Sequence, residues 1–239
     1  MRILVLGDIH SNWQALSAID EEFDACLVTG DLVDYGTDPL PCLDWVRRYA
    51  NAVVRGNHDH AVAQRVTGRG GSGYRRLAAV VRPFHWDVLS PQHLKFLGRL
   101  PVTQYLQIGE LRFCLVHATP RDPMDEYLGN DPEQWRQRLG GVDADFLCVG
   151  HSHLPFHLNL EGVQVLNPGS VGQPRDGDPR ASYAIIEDGQ VEMKRVAYDI
   201  DAAVAQTRAS GLPNWVTRLN EAILTSGGVL SKAQMDAFV

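Results

Sequence analysis

The stretch VVRGNHDHA (53–61) decides how the chain is read. Two valines end a run that fits a buried strand, and behind them stand a glycine, an asparagine, two histidines and an aspartate. Titratable groups crowded at a strand end mark either a water-facing loop or a site built for chemistry. The rest of the chain chooses between these, because the pattern recurs. GDIH (7–10) ends a first apolar run, GDLVD (30–34) a second, VHATP (116–120) a later one and GHSH (150–153) another.

The runs themselves, RILVL, ACLV, AVV, LRFCLV, FLCV, VQVLN and SYAIIE, are short and nearly continuous in apolar residues. Such runs fit strands covered on both faces. Between the early ones, SNWQALSAIDEE (11–22) and PLPCLDWVRRYA (39–50) place apolar residues at helical spacing, so the opening half predicts a parallel α/β arrangement. After Leu111 less helix separates the strands, and EDG (187–189) reads as a hairpin turn, so the second half is expected to be more antiparallel. The region 61–101 is expected to be helical, broken by the glycine-rich TGRGGSG (67–73). Within it Ser90 reads as an N-cap, Pro91 as the first helical residue, and Leu94, Leu97 and Leu100 as a core-facing stripe. The tail after Asp199 reads as two helices split at Gly211 and Pro213. The expected organisation is one α/β domain over 1–198, two mixed sheets packed together under outer helices, with a helical appendage over 199–239 packed on it.

A chain of 239 residues is long enough to enclose a large core, and 44% hydrophobic with 21% charged residues is ordinary for a globular protein. The net charge of −7 repels nucleic acid and anionic membrane, so an anionic ligand needs a local positive feature. Cys26, Cys42, Cys114 and Cys148 show no C-x-x-C spacing and read as small core residues, which suits a reducing compartment. No stretch approaches transmembrane length and the first apolar run is too short for a signal peptide, so a cytoplasmic protein is expected.

Asp8, His10, Asp31, Asn57, His117, His151 and His153 are all metal-ligand types at the ends of candidate strands. Open α/β sheets bind their ligands at that edge. In extended backbone, residues i and i+2 point the same way, so Asp8 with His10, and His151 with His153, are expected to aim into one cavity. The glycines before Asp8, Asp31, Asn57 and His151 are expected to let the backbone approach bound ions.

The series GDIH, GDLVD, GNHD, VHATP and GHSH resembles the calcineurin-like metallophosphoesterase superfamily, closest to its small bacterial and archaeal phosphodiesterase-type members. NPGSVGQPRDGDPRASYAI (167–185) is similar to the ending common in that subgroup. The resemblance implies a four-layer α-β-β-α sandwich of two mixed β-sheets flanked by helices, with two divalent or transition metal ions at the strand ends. Position by position, it implies Asp8, His10, Asp31 and His153 for the first ion. For the second it implies Asp31, Asn57, His117 and His151, with Asp31 bridging. One shared carboxylate holds two cations about 3.5 to 4 Å apart, close enough to share a hydroxide that attacks phosphorus. Two carboxylates against two divalent ions leave a site of about +2, the positive feature that an acidic chain needs. The mixed imidazole, carboxylate and amide shell suits manganese, iron, zinc, cobalt or nickel better than calcium.

His58 follows a ligand without matching a ligand position, which makes it the candidate general acid. Asp34 and Asp59 are both placed to orient it, and the family pattern favours Asp34. The protein Ser/Thr phosphatase branch has arginine after the second motif's aspartate and glutamate after GNH, where this chain has Tyr35 and Asp59. Without that bidentate clamp a phosphodiester is favoured over a dianionic monoester. Arg121, Arg175 and Arg180 are candidate phosphate contacts, and Trp13, Tyr35 and Tyr127 candidate stacking faces for a base. The expected substrate is a small phosphoester, nucleotide-derived ones included, with no membrane partner and no extended nucleic-acid tracking. The alternatives are a phosphomonoesterase, a protein Ser/Thr phosphatase, a diadenosine polyphosphate hydrolase, or a protein-interaction scaffold without turnover.

Overall fold

The computed structural model describes residues 1–68, 71, 73–160 and 162–238, so part of the glycine-rich stretch lies outside the described residues. The chain opens with three strand–helix steps: β1 (Arg2–Leu6), α1 (Trp13–Ser17), β2 (Ala25–Val28), α2 (Pro39–Tyr49), β3 (Ala52–Val53) and α3 (Asn57–Ala63). β1, β2 and β3 pair in parallel, as the strand–helix alternation predicts. α1 is shorter than its spacing suggests and ends at Ser17; Asn12 caps it by accepting the Ala15 N–H at 3.1 Å. Then come α4 (Tyr74–Val88) and α5 (Pro91–Arg99), the latter with the Ser90 cap read from the sequence.

The second half runs β4 (Thr103–Ile108), β5 (Leu111–Val116), α6 (Pro132–Arg136), β6 (Phe146–Cys148), β7 (Phe156–Leu160), β8 (Val163–Asn167), β9 (Ala181–Glu187) and β10 (Gln190–Val196). One sheet has the order β10-β9-β1-β2-β3 and the other β4-β5-β6-β8-β7. The centre of the second sheet is parallel, β5 to β6 to β8, so the antiparallel expectation holds only for its edges and for the β9–β10 hairpin. Asp188 and Gly189 turn that hairpin with φ of 49° and 77°, the paired positive values of a type I′ turn.

Side-chain alternation along the strands produces the layers. Ile3, Val5 and Leu27 of the first sheet meet Phe113, Leu115 and Phe146 of the second in the central core. Leu4, Leu6, Cys26 and Val28 point the other way, onto Leu16, Leu43, Val46 and Leu97 beneath the helices, and Leu94 and Leu100 pack on the same core. Cys114, Val116 and Leu147 meet Trp135 on the far face. The fold is the four-layer α-β-β-α arrangement. All four cysteines are buried and unpaired. No helix among the described residues is long and apolar enough to cross a membrane.

Three helices close the chain: α7 (Ile200–Ala209), α8 (Asn214–Thr225) and α9 (Lys232–Asp236), the last without a signal in the apolar pattern. α7 packs on α1 and α8. α8 and α9 share an apolar cluster with Leu77, Ala78 and Val81 of α4 and with Tyr35. The turn between α8 and α9 is pressed onto the 174–178 loop. Gly228 has φ of 75°, and a Cβ there would lie 2.3 Å from the Pro174 carbonyl oxygen. Gly228→Ala therefore combines left-handed strain with a backbone clash, and thermal melting is expected to register a loss of about 2 kcal/mol or more.

Candidate metal centre

Because β1, β2 and β3 are parallel, and β5 with β6, five motif loops leave the carboxyl ends of two facing sheets and meet at one edge. The backbone there is not extended. Asp8, His10, Asp31, His151 and His153 have φ of 53°, 48°, 54°, 65° and 59°. The convergence of D-x-H and H-x-H therefore comes from left-handed turns beyond the strand ends, not from strand alternation. His151 and His153 part company, one joining each ligand group. Eight of the ten non-glycine residues with positive φ, among those described, lie in these loops or beside them. Backbone strain of this kind persists only where the surroundings over-determine it.

The groups are Asp8, His10 and His153, and Asp31, His117 and His151, all buried. In the first, His10 Nδ1 donates to the Val33 carbonyl oxygen at 3.1 Å and His153 Nδ1 to that of Gln173 at 2.6 Å. A carbonyl oxygen only accepts, so each Nε2 carries a lone pair, and the two stand 3.1 Å apart. Burial pulls the pKa of His10 down to about 3 and that of His153 well below the usual range, so neither ring brings a proton to that contact. Asp8 Oδ1 faces the same point, 3.4 Å from His153 Nε2. Lone pairs converging without hydrogens are satisfied by a cation.

In the second group His117 Nδ1 donates to the Thr29 carbonyl oxygen at 2.8 Å. Its Nε2 lies 3.2 Å from Asp31 Oδ2, 3.2 Å from Asn57 Oδ1 and 3.2 Å from His151 Nδ1. Burial lowers the pKa of His117, but the Asp31 carboxylate outweighs it and raises it to about 9. Asp31 Oδ2 is buried without a hydrogen bond and also lies 3.7 Å from His10 Nε2, so it faces both groups. The donor set of oxygens and imidazole nitrogens fits two divalent metal ions.

Asp59 does not orient His58; it caps α3. It is fully buried at the start of α3 and accepts backbone N–H groups from Gly56 (3.0 Å), Asp31 (2.9 Å) and Leu32 (2.8 Å). It thus ties the second motif to the third. Gly56 makes room for this: a Cβ there would lie 2.0 Å from Asp31 Oδ1, so the backbone approaches the second motif closely. His58 belongs with Asp34 instead, Nδ1 to Oδ2 at 2.8 Å. Arg82 of α4 donates to that same oxygen from Nε (3.0 Å) and Nη2 (2.7 Å). Burial lowers the pKa of His58, yet Asp31 and Asp34 together raise it above its ordinary value. His85, also on α4 and buried, accepts from the Asp34 N–H at 3.3 Å and lies 2.9 Å from Ser11 Oγ, joining the first two motif loops.

A family model, the calcineurin-like phosphoesterase superfamily domain, matches residues 1–189. The chain belongs to that superfamily. An uncharacterized protein of Methanocaldococcus jannaschii is 33% identical over 238 residues, covering 90% of this chain and 95% of its own. The crystal structure of a metallophosphoesterase from Sphaerobacter thermophilus, 33% identical, superposes with a TM-score of 0.79 over 95% of this chain and 99% of that one. A hypothetical protein of Pyrococcus horikoshii, 21% identical, shares the fold with a TM-score of 0.80, over 96% of this chain and 99% of its own.

Within this superfamily site the three candidate arginines separate. Arg175 lies at the centre's rim, its guanidinium 4.1 Å from the Tyr74 ring centroid and 5.7 Å from that of Tyr35. Arg121 and Arg180 lie away from the cavities at the centre, paired with Glu126 and with Asp178. Of the candidate stacking faces, Trp13 packs into the helix-side core, and Tyr35 is buried with its ring 4.5 Å from that of His58. Tyr127 is 63% exposed and its ring lies 3.9 Å from that of His151.

Proposed function

We propose that this protein is a cytoplasmic hydrolase of small phosphate esters that works with two divalent cations and prefers phosphodiesters. What carries the proposal is Asp31 Oδ2, a buried oxygen without a hydrogen bond that faces ring nitrogens of both ligand groups. Asp8, His10, Asp31 and His153 would hold one cation, and Asp31, Asn57, His117 and His151 the other. Bound there, the pair neutralises charge on a phosphoryl group and acidifies water, and manganese, iron, zinc, cobalt and nickel all suit the donor set. These residues belong to a catalytic domain over 1–198 that carries 199–239 as its appendage.

The chain's own part is proton transfer and orientation. Asp34 holds His58 through Nδ1 at 2.8 Å, which leaves Nε2 to protonate the leaving-group oxygen. Arg82 fixes the Asp34 oxygen that does this, so the imidazole has one orientation. His58, Asn57 and His151 line a cavity of about 560 Å³, within the range of small-molecule sites. Tyr35 stands where the phosphatase branch has its clamping arginine, and a singly charged diester needs that clamp less.

With manganese added, bis(p-nitrophenyl) phosphate is expected to turn over several-fold faster than p-nitrophenyl phosphate. Faster monoester cleavage overturns the diester preference. No turnover of either by metal-loaded protein overturns hydrolysis itself and leaves the scaffold.

A further inference from the structure

Beside the metal centre is a second cavity, of about 440 Å³, that the mechanism above does not use. It adjoins the cavity at His58, since Tyr35, Arg75 and Tyr127 line both. Its charged lining is Arg75, Arg175 and Lys232, with no carboxylate among the described residues. In a chain of net charge −7, three cations without an acid among them run against the average surface. Arg75 and Lys232 are exposed and make no ion pair among the described residues. Arg175 is held against the Tyr74 ring, and its buried Nε has no hydrogen-bond partner.

The C-terminal segment builds this cavity. Tyr74 donates its hydroxyl to the Gly228 carbonyl oxygen at 2.8 Å, and the Gly177 N–H reaches the Gly227 carbonyl oxygen at 3.0 Å. The Gly73 N–H donates to Asp236 Oδ1 at 3.1 Å, which sets α9 and its Lys232 beside Tyr74. One turn thus fixes both Tyr74 and the loop carrying Arg175, and it lies beyond the span 1–189 that the family model matches. A guanidinium stacked in place loses little freedom when it meets an oxyanion, so the cavity is pre-organised for a phosphate.

We propose that this cavity is a subsite for a second phosphate group of the substrate, so that the protein acts on polyphosphorylated esters recognised through its C-terminal helices. The proposal rests on the phosphoesterase reading of the neighbouring centre. The test is calorimetric titration of the metal-free full chain with inorganic pyrophosphate and, separately, inorganic phosphate. Pyrophosphate is expected to bind at least about tenfold more tightly than phosphate, the difference of a single charge-assisted contact. Arg75→Gln combined with Lys232→Gln is expected to remove that advantage with unchanged thermal melting, and Lys232→Arg to retain it. Arg175→Met, which keeps an unbranched chain against Tyr74, is expected to remove it as well. Equal binding of the two anions by the wild type, or wild-type pyrophosphate affinity in the double variant, overturns the proposal. Because the titration needs no turnover, its failure is distinguishable from failure of the hydrolysis assay.

Discussion

His58→Asn is expected to lower turnover roughly a hundredfold to ten-thousandfold, the usual contribution of a positioned general acid. Metal content, measured by mass spectrometry, is expected to stay at the wild-type level, because no ligand atom changes. The pH profile separates this role from a packing role. An acid must carry its proton, so the rate falls as pH rises through the folded pKa of His58. Burial lowers that pKa, the Asp31 and Asp34 carboxylates outweigh burial and raise it, and the Arg82 cation holds it back. Arg82→Met therefore moves the descending limb to higher pH. Asp34→Asn removes an anion and moves the limb to lower pH, with a loss of rate. A limb that moves in neither variant assigns the proton to another group.

The central strands were legible because both their faces are apolar: Ile3 and Val5 enter one core, Leu4 and Leu6 another. β4 and β7 were not, and the reason is their position at the two edges of the second sheet. TQYLQI and FHLNL keep water on part of their surface, so they mix polar with apolar residues and never form a continuous run. The ligand-type residues stood out because a histidine or aspartate behind a buried strand has few other reasons to be there. Their left-handed backbone was hidden, since nothing in D-x-H distinguishes a turn from an extended end. Arg82 and His85 were hidden for another reason. They lie about fifty residues from Asp34 in sequence, on α4, where a charged residue in an amphipathic pattern reads as a solvated face. Only tertiary packing turns that face onto Asp34.

Asp59 is where the fold and the site depend on a single side chain, and its removal carries the largest expected loss of stability. Its two oxygens accept three backbone N–H groups from loops about twenty-five residues apart, at 2.8 to 3.0 Å, with no exposure to solvent. In Asp59→Ala those three donors stay buried without acceptors. Each such group costs about 1 to 3 kcal/mol, so a total of about 3 to 5 kcal/mol is expected after partial entry of water. For a chain of this size that lowers the melting temperature by roughly 6 to 20 °C. Asp59→Asn keeps one acceptor oxygen, enough for Gly56 and Asp31, but turns its amide nitrogen onto the Leu32 N–H, so it is expected to lose part of that stability; this separates lost hydrogen-bond acceptance from lost volume. The metal centre follows. With its N–H released, Asp31 has less to hold φ at 54°, and Asp31 Oδ2 is the oxygen that both ligand groups share. Chelator-treated Asp59→Ala protein is therefore expected to melt early and then to retain less of both ions on reloading. If it melts with the wild type while metal-free, the three hydrogen bonds are not what joins the second motif to the third, and packing at Gly56 must do so instead.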